Sequence, residues 1–208
     1  MKAVVINDDK SVSWTEVEDP VIKDNQVLIE VYAASINRAD LLQREGSYPP
    51  PPGCPNYPGL EVSGIIKSVG KDTKKFKVGD KVCALLGGGG YAEYVAVEEE
   101  TVLPMPNNMS FEEASAIPEI YATAYLNLFY VGNAKPGETL FINSAASGLA
   151  SAIIPMAKAF GLYVITTVRG QKKVERVQYL NADVVVDSLS QSVPEVLKKE
   201  AENGHPVD

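Results

Sequence analysis

One histidine and two cysteines among 208 residues rule out a good deal of chemistry. A structural zinc site usually takes four protein ligands, and a catalytic one takes three. Cys54 and Cys83 cannot make a four-cysteine site, and His205 lies next to the C-terminus in Gly204-His205-Pro206, far from either cysteine. Chemistry without a metal is therefore expected. Two cysteines are also too few for a disulfide framework, which fits a reducing compartment. No run approaches the roughly 20 apolar residues a membrane helix needs. Met1 to Asn7 runs straight into Asp8 and Asp9, so no signal-peptide pattern is present. A cytoplasmic protein with no membrane partner is expected. The formal net charge of -8 repels polyanions, so nucleic acid is not an expected partner either.

Against that excess of acid, two basic stretches stand out. Lys67, Lys71, Lys74, Lys75 and Lys77 flank turn residues and read as a solvated loop. Arg169, Lys172, Lys173 and Arg176 form the second stretch, at a place where a phosphate could be read.

The chain changes character near residue 110. Before it, Lys2 to Ile6, Val12 to Val17, Gln26 to Ala34, Val62 to Val69, Lys81 to Leu86 and Tyr91 to Val97 read as short strands between turn signals. That spacing suggests a small β-barrel or sandwich. The run Tyr48 to Pro58 holds six prolines and reads as a stiff, exposed loop. Ser110 and Glu113 then form a capping box, opening a helix interrupted at Pro118 and a second helical stretch from Glu119 to Tyr130. Beyond the turn at residues 133–138, strands at Thr139 to Asn143, Leu162 to Thr167 and Asp183 to Asp187 alternate with helices. Those helices are Gly148 to Phe160, with a kink expected at Pro155, Gln171 to Leu180, and Val193 to Glu202. Such alternation implies a parallel, doubly wound sheet with right-handed crossovers.

Between the first of these strands and its helix lies Asn143-Ser144-Ala145-Ala146-Ser147-Gly148-Leu149-Ala150. Small residues here let backbone approach a pyrophosphate, and a helix N-terminus supplies donors. The three glycine positions of the dinucleotide fingerprint fall on Ala145, Ser147 and Ala150, so the loop alone also fits a plain strand-turn-helix connection. Roughly 20 residues further on, an acid would bind the ribose 2′-hydroxyl of NAD. Thr166 to Lys173 contains no acid, and Arg169 and Lys173 suit a 2′-phosphate instead, the one as a multi-donor fork and the other as a point charge. NADPH is the expected cofactor, with Ala146, Ser147, Gly148 and Leu149 at its pyrophosphate.

Taken together, these motifs resemble the zeta-crystallin-like quinone oxidoreductases of the medium-chain dehydrogenase/reductase superfamily. The resemblance rests on Ser35 to Gly46 with its Asn37-Arg38-Ala39-Asp40 core and on Tyr48 to Gly53. It continues through Pro58-Gly59-Leu60-Glu61-Val62-Ser63-Gly64, Val78 to Val82, Gly87 to Tyr94, Ile117-Pro118-Glu119 and Thr123-Ala124-Tyr125. Zinc-bearing relatives place a histidine before the glutamate matching Glu61; here that position is Leu60.

The resemblance implies a GroES-like β-barrel with a linker helix over residues 1–122, holding the substrate. A Rossmann dinucleotide-binding domain over 123–208 would follow, truncated after its first half. It implies hydride transfer from NADPH to a quinone, and Asn37 and Tyr48 as groups that hydrogen-bond the quinone oxygen, with Thr123 against the nicotinamide half. Asn37 could instead satisfy a turn, Tyr48 could pack on the prolines, and Arg38 and Asp40 could form an ion pair. Reduction of the C=C bond of an enal or enone is the alternative activity. A truncated, non-catalytic dinucleotide-binding or interaction module is the alternative role. Full-length relatives of this kind form homo-oligomers, and such relatives continue for about 120 residues more, an estimate from family size beyond the usual domain length.

Overall fold

The computed structural model describes residues 1–208, which divide into two compact units, Met1–Glu119 and Ile120–Asp208. In the first, β1 (Lys2–Ile6) and β2 (Val12–Glu16) form an antiparallel hairpin. The remaining strands are β3 (Gln26–Ala34), β4 (Glu61–Val69), β5 (Lys81–Leu85), β6 (Tyr94–Glu98) and β7 (Val102–Pro104). They make one antiparallel sheet in the order β6-β3-β4-β5-β7. Alternation of side chains along the strands sends Val27, Ile29, Val62, Ile66, Val82, Val95 and Val97 into a common core. Each such side chain contributes roughly 1.5–3 kcal/mol when fully buried.

A helix that the strand pattern did not reveal, α1 (Arg38–Glu45), leaves the end of β3. Its signals are local: Asn37 is the N-cap residue, its N–H bonded to the Asp40 carboxylate without a side-chain cap bond in return, and Gly46 ends the helix at φ 82°. Three further expectations change. β7 was not anticipated, since it is three residues long and ends in proline. Tyr91 lies before β6 rather than within it. The proline-rich loop is exposed over most of its length but not at its end, where Pro58 is buried as the chain turns back toward β4. A short helix, α2 (Phe111–Ser115), follows the sheet and opens on the expected capping box of Ser110 and Glu113.

Helix α3 (Pro118–Tyr125) carries the chain into the second unit and runs on into a π-helical segment, Leu126–Val131. The expected alternation then begins. Its elements are β8 (Thr139–Ile142), α4 (Gly148–Ala159), β9 (Tyr163–Val168), α5 (Gln171–Val177), β10 (Val184–Asp187) and α6 (Val193–Glu202). α4 includes Pro155 within its run. The sheet is parallel, in the order β10-β9-β8, and β9 is buried from Val164 to Val168. Ala150, Ile153, Ile154 and Ala157 form the buried stripe of α4 and belong to the same core as Val164 and Val168.

One glycine limits the first sheet. A Cβ on Gly64 would lie 2.0 Å from the carbonyl oxygen of Glu30, beside the irregular β3–β4 register at Val31/Ala33. The obstacle is backbone and cannot rotate away. Gly64→Ala is therefore expected to destabilise the protein by on the order of 3 kcal/mol, read as a lower urea midpoint with β-sheet loss.

Candidate functional site

In the first unit the site is built around two buried carboxylates. Asp40, in the first turn of α1, accepts the Asn37 N–H at 2.7 Å, the Gly59 N–H at 3.2 Å and the Tyr91 hydroxyl at 2.7 Å. The expected Arg38–Asp40 ion pair is therefore not formed: Asp40 faces inward while Arg38 is exposed. Burial, reinforced by the Asp40 carboxylate, pushes the Tyr91 hydroxyl far above its ordinary range, so it stays a donor.

Glu61, the first residue of β4, is fully buried. Its Oε1 accepts from Asn37 Nδ2 at 2.9 Å and its Oε2 from the Glu119 N–H at 2.9 Å. Burial pushes its pKa up; the two hydrogen bonds oppose this, and the nearby Glu119 and Asp40 carboxylates add to it. Cys83, buried on β5, has its thiol pushed up by burial and by Glu61, which makes it an unreactive core residue. Asn37, the residue the sequence singles out, is thus half-buried and its side chain is held by Glu61, while its backbone takes the N-cap position of α1. Tyr48 is 43% exposed and makes no hydrogen bond, and none joins it to Asn37.

In the second unit, the turn after β8 and the end of β9 come together. The Ser144 N–H meets Thr167 Oγ1 at 3.1 Å and the Ala145 N–H meets the Thr167 carbonyl at 2.9 Å. The tight turn places its left-handed residue at Ser144, φ 63°, so Ala145 does not need to be glycine. Ala145 and Ala150 are buried in the core, and Ser147 is the N-cap of α4, its Oγ accepting the Ala150 N–H at 3.2 Å. The N–H groups of Ala146, Gly148 and Leu149 have no partner within the chain. A Cβ on Gly148 would meet only Ile120, at an ordinary 3.8 Å, so packing within the unit does not require this glycine.

Arg169 and Lys173 are exposed and take part in no ion pair, and neither do Lys172 and Arg176. The turn that carries them is anchored by Asp187 at the end of β10, whose Oδ1 accepts from Gly170 N at 2.7 Å and Leu189 N at 3.0 Å. Ser188 adds a bond from its Oγ to the Val168 carbonyl. Thr123 lies half-buried on α3, its carbonyl accepting from Asn127 Nδ2. Sequence reasoning missed Glu61, Tyr91 and Asp187 as parts of the site. The available signal was an acid inside or ending an otherwise apolar strand, as in Leu60-Glu61-Val62 and Val185-Val186-Asp187.

Known proteins share this fold. Residues 23–107 match the alcohol dehydrogenase GroES-like domain. Quinone oxidoreductase of Sus scrofa is 39% identical over 154 residues, which are 74% of this chain and 47% of that protein. The quinone oxidoreductase of Thermus thermophilus, whose structures include a complex with NADPH, superposes with a TM-score of 0.82 at 32% identity, over 97% of this chain and 64% of that one. A probable oxidoreductase from Mycobacterium abscessus superposes with a TM-score of 0.83 at 33% identity, over 100% of this chain and 67% of that one. A GroES-like unit followed by a parallel sheet of the dinucleotide-binding kind defines a medium-chain dehydrogenase/reductase. Within that class, the chain belongs to the zeta-crystallin-like quinone oxidoreductase family. It spans about half the length of the curated relatives it matches.

Two measurements check this account of the site. Tyr91→Phe removes one donor from Asp40 and should cost about 1 kcal/mol, whereas Asp40→Ala orphans the Asn37 and Gly59 N–H groups, leaves the Tyr91 hydroxyl only the Ser35 carbonyl, and should cost about 3 kcal/mol; urea unfolding reads both. The Leu189 and Gly170 N–H groups hold the Asp187 carboxyl below its ordinary range. Its stabilising contribution is therefore present above the unfolded value of about 3.9 and is lost as pH falls through the depressed folded-state value. Acid titration of the urea midpoint should show this loss in the wild type and not in Asp187→Ala.

Proposed function

We propose that the chain serves the NADPH-dependent reduction of quinones by hydride transfer, without a metal and in the cytoplasm. The observation that carries the cofactor assignment is the turn after β9, free of acid and bearing Arg169 and Lys173 unpaired. An NAD-binding site of this fold would place an acid there for the ribose 2′-hydroxyl. The cofactor, when bound, supplies the hydride from its nicotinamide ring. The chain's own groups bind and orient. The free N–H groups of Ala146, Gly148 and Leu149, at the start of the 12-residue helix α4, suit pyrophosphate oxygens, with Ser147 as cap beside them. Arg169 and Lys173 would hold the 2′-phosphate, and Thr123 the nicotinamide half.

The substrate class comes from the quinone oxidoreductases that the chain matches. On this reading residues 1–122 hold the quinone and residues 123–208 the dinucleotide. Asn37 and Tyr48 would donate to the quinone oxygen as it gains negative charge. The metal-free assignment is supported by the donor set: no three His, Cys, Asp or Glu side chains converge as ligands, and His205 is stacked on Tyr163 with ring centroids 3.6 Å apart.

Titration of the chain with NADPH and NADH tests the proposal. NADPH should bind at least about tenfold more tightly, equivalent to about 1.4 kcal/mol, and the margin should shrink with salt. Arg169→Ala combined with Lys173→Ala should erase the margin while leaving NADH binding in place; equal affinity in the wild type would refute the assignment. NADPH oxidation measured with a panel of 1,4-quinones and enones decides the acceptor, and preference for the enones would overturn the quinone reading.

A further inference from the structure

Glu61 is the one fully buried carboxylate whose only side-chain partner is a residue of the proposed site. An acid in this place is costly. It has no ion pair, and the ionisable groups that bear on it are Asp40 from α1, Glu119 from α3, Cys83 from β5 and Tyr91 from the loop before β6, none of them a cation. Burying an unpaired carboxylate costs free energy that an aliphatic residue, such as its neighbours Leu60 and Val62, would not. Packing alone does not account for it.

We propose that Glu61 is a positioning residue for Asn37, and that its protonation state decides whether the Asn37 amide leaves one donor hydrogen or two for a substrate oxygen. The inference rests on the reading of Asn37 given above and follows from counting donors. Oε2 accepts from the Glu119 N–H, which can only donate, so Oε2 is an acceptor in either state. A protonated carboxyl oxygen accepts less strongly than the carbonyl oxygen, so the Glu119 N–H favours Oε2 as the carbonyl and the proton on Oε1, the atom that faces Asn37. When Glu61 is ionised, Oε1 can only accept, and Asn37 must turn Nδ2 toward it, as observed. When Glu61 is neutral, Oε1–H donates, Asn37 turns Oδ1 toward it, and the NH2 group becomes the free end. A quinone oxygen gaining negative charge needs donors; ionised Glu61 takes one of the two Nδ2 hydrogens and neutral Glu61 takes neither, so the neutral state presents the better partner. The burial and the neighbouring acids, which raise the Glu61 pKa, favour that state.

Glu61→Gln copies the neutral state. Its Oε1 must accept from the Glu119 N–H, which directs Nε2 at Asn37 and requires the turned amide at every pH. The experiment is NMR of the full 208-residue chain labelled with carbon-13 and nitrogen-15, with the Asn37 side-chain NH2 signals identified by their loss in Asn37→Asp. In the wild type these signals and the Glu61 carboxyl carbon should titrate with one shared midpoint, above the ordinary Glu value of about 4.3. In Glu61→Gln they should stay at the low-pH position. Wild-type Asn37 signals that do not move between about pH 4.5 and 9, a span set around that ordinary value, overturn the proposal. So do variant signals that follow the wild-type curve. Through-bond assignment of the labelled wild type identifies the same signals should a variant fail to fold. Adding 1,4-naphthoquinone separates the two readings. Loss of the shared titration removes the Glu61 proposal alone. A shared titration with no response to the quinone removes Asn37 as the acceptor-facing group and leaves its coupling to Glu61 standing.

Discussion

The Asp40 carboxylate is the hub of the first unit. It gathers donors from Asn37, from Gly59, 19 residues on, and from Tyr91, 51 residues on. Hydrogen bonds to an ionised acceptor are about twice as strong as neutral ones, and here they tie α1 to two segments already paired through the Gly89, Gly90 and Tyr91 N–H groups and the Tyr57, Gly59 and Pro58 carbonyls. The loop after α1, stiffened by its prolines, has to return to β4 at a fixed place, and Asp40 marks it. Gly59 turns there at φ 109°, and a Cβ on it would lie 2.5 Å from the Tyr91 nitrogen. Two residues later the chain enters β4 as Glu61, already within reach of Asn37. The position of Asn37 relative to Glu61 thus depends on the Asp40 clamp.

The two carboxylates of this site solve the burial problem differently. Asp40 is surrounded by donors that can only donate or that stay protonated, so its charge is matched. Asp187 and Glu99 follow the same rule. Glu99 accepts the N–H groups of Lys74, Lys75 and Phe76, and Asp187 those of Gly170 and Leu189. Part of the acidic surplus of this chain is therefore internal scaffolding that fixes loops. Glu61 departs from the rule, since one of its two donors is an amide that can turn. That freedom is what lets Glu61 act on Asn37.

Much of this was legible in the sequence, and the reasons for the remainder are physical. The strand-helix alternation after residue 135 is periodic over whole elements, and β8 to α6 lie where it indicates. The fold class follows from it. Helix α1 and strand β7 are short, and short elements are set by caps and edges more than by periodicity. The tight turn after β8 misled in another way. Reading the fingerprint position by position assigned the strained residue to Ala145, but the chain takes its left-handed step one residue earlier, at Ser144. In the candidate site, the motif singles out Asn37. Its partner Glu61 was not legible, because an acid inside an apolar strand says that it is buried without saying what it faces.

The β9 turn shows why composition alone reads a phosphate site only in part. A run of cations is usually a solvated face or one half of an ion-pair network. Whether Arg169 and Lys173 remain available depends on where the nearest acids spend their charge. Asp187, which follows at the end of the adjacent strand, is the obvious competitor. It is instead committed to the Gly170 and Leu189 backbone, through an oxygen that both N–H groups share. The same bonds tie the turn to β10, so the acid that could have neutralised Arg169 fixes the segment that carries it. An Asp187 paired with Arg169 would have cancelled the charge and released the turn together. The fold therefore keeps the cations free by giving the acid a backbone role, which is what the proposed 2′-phosphate site requires.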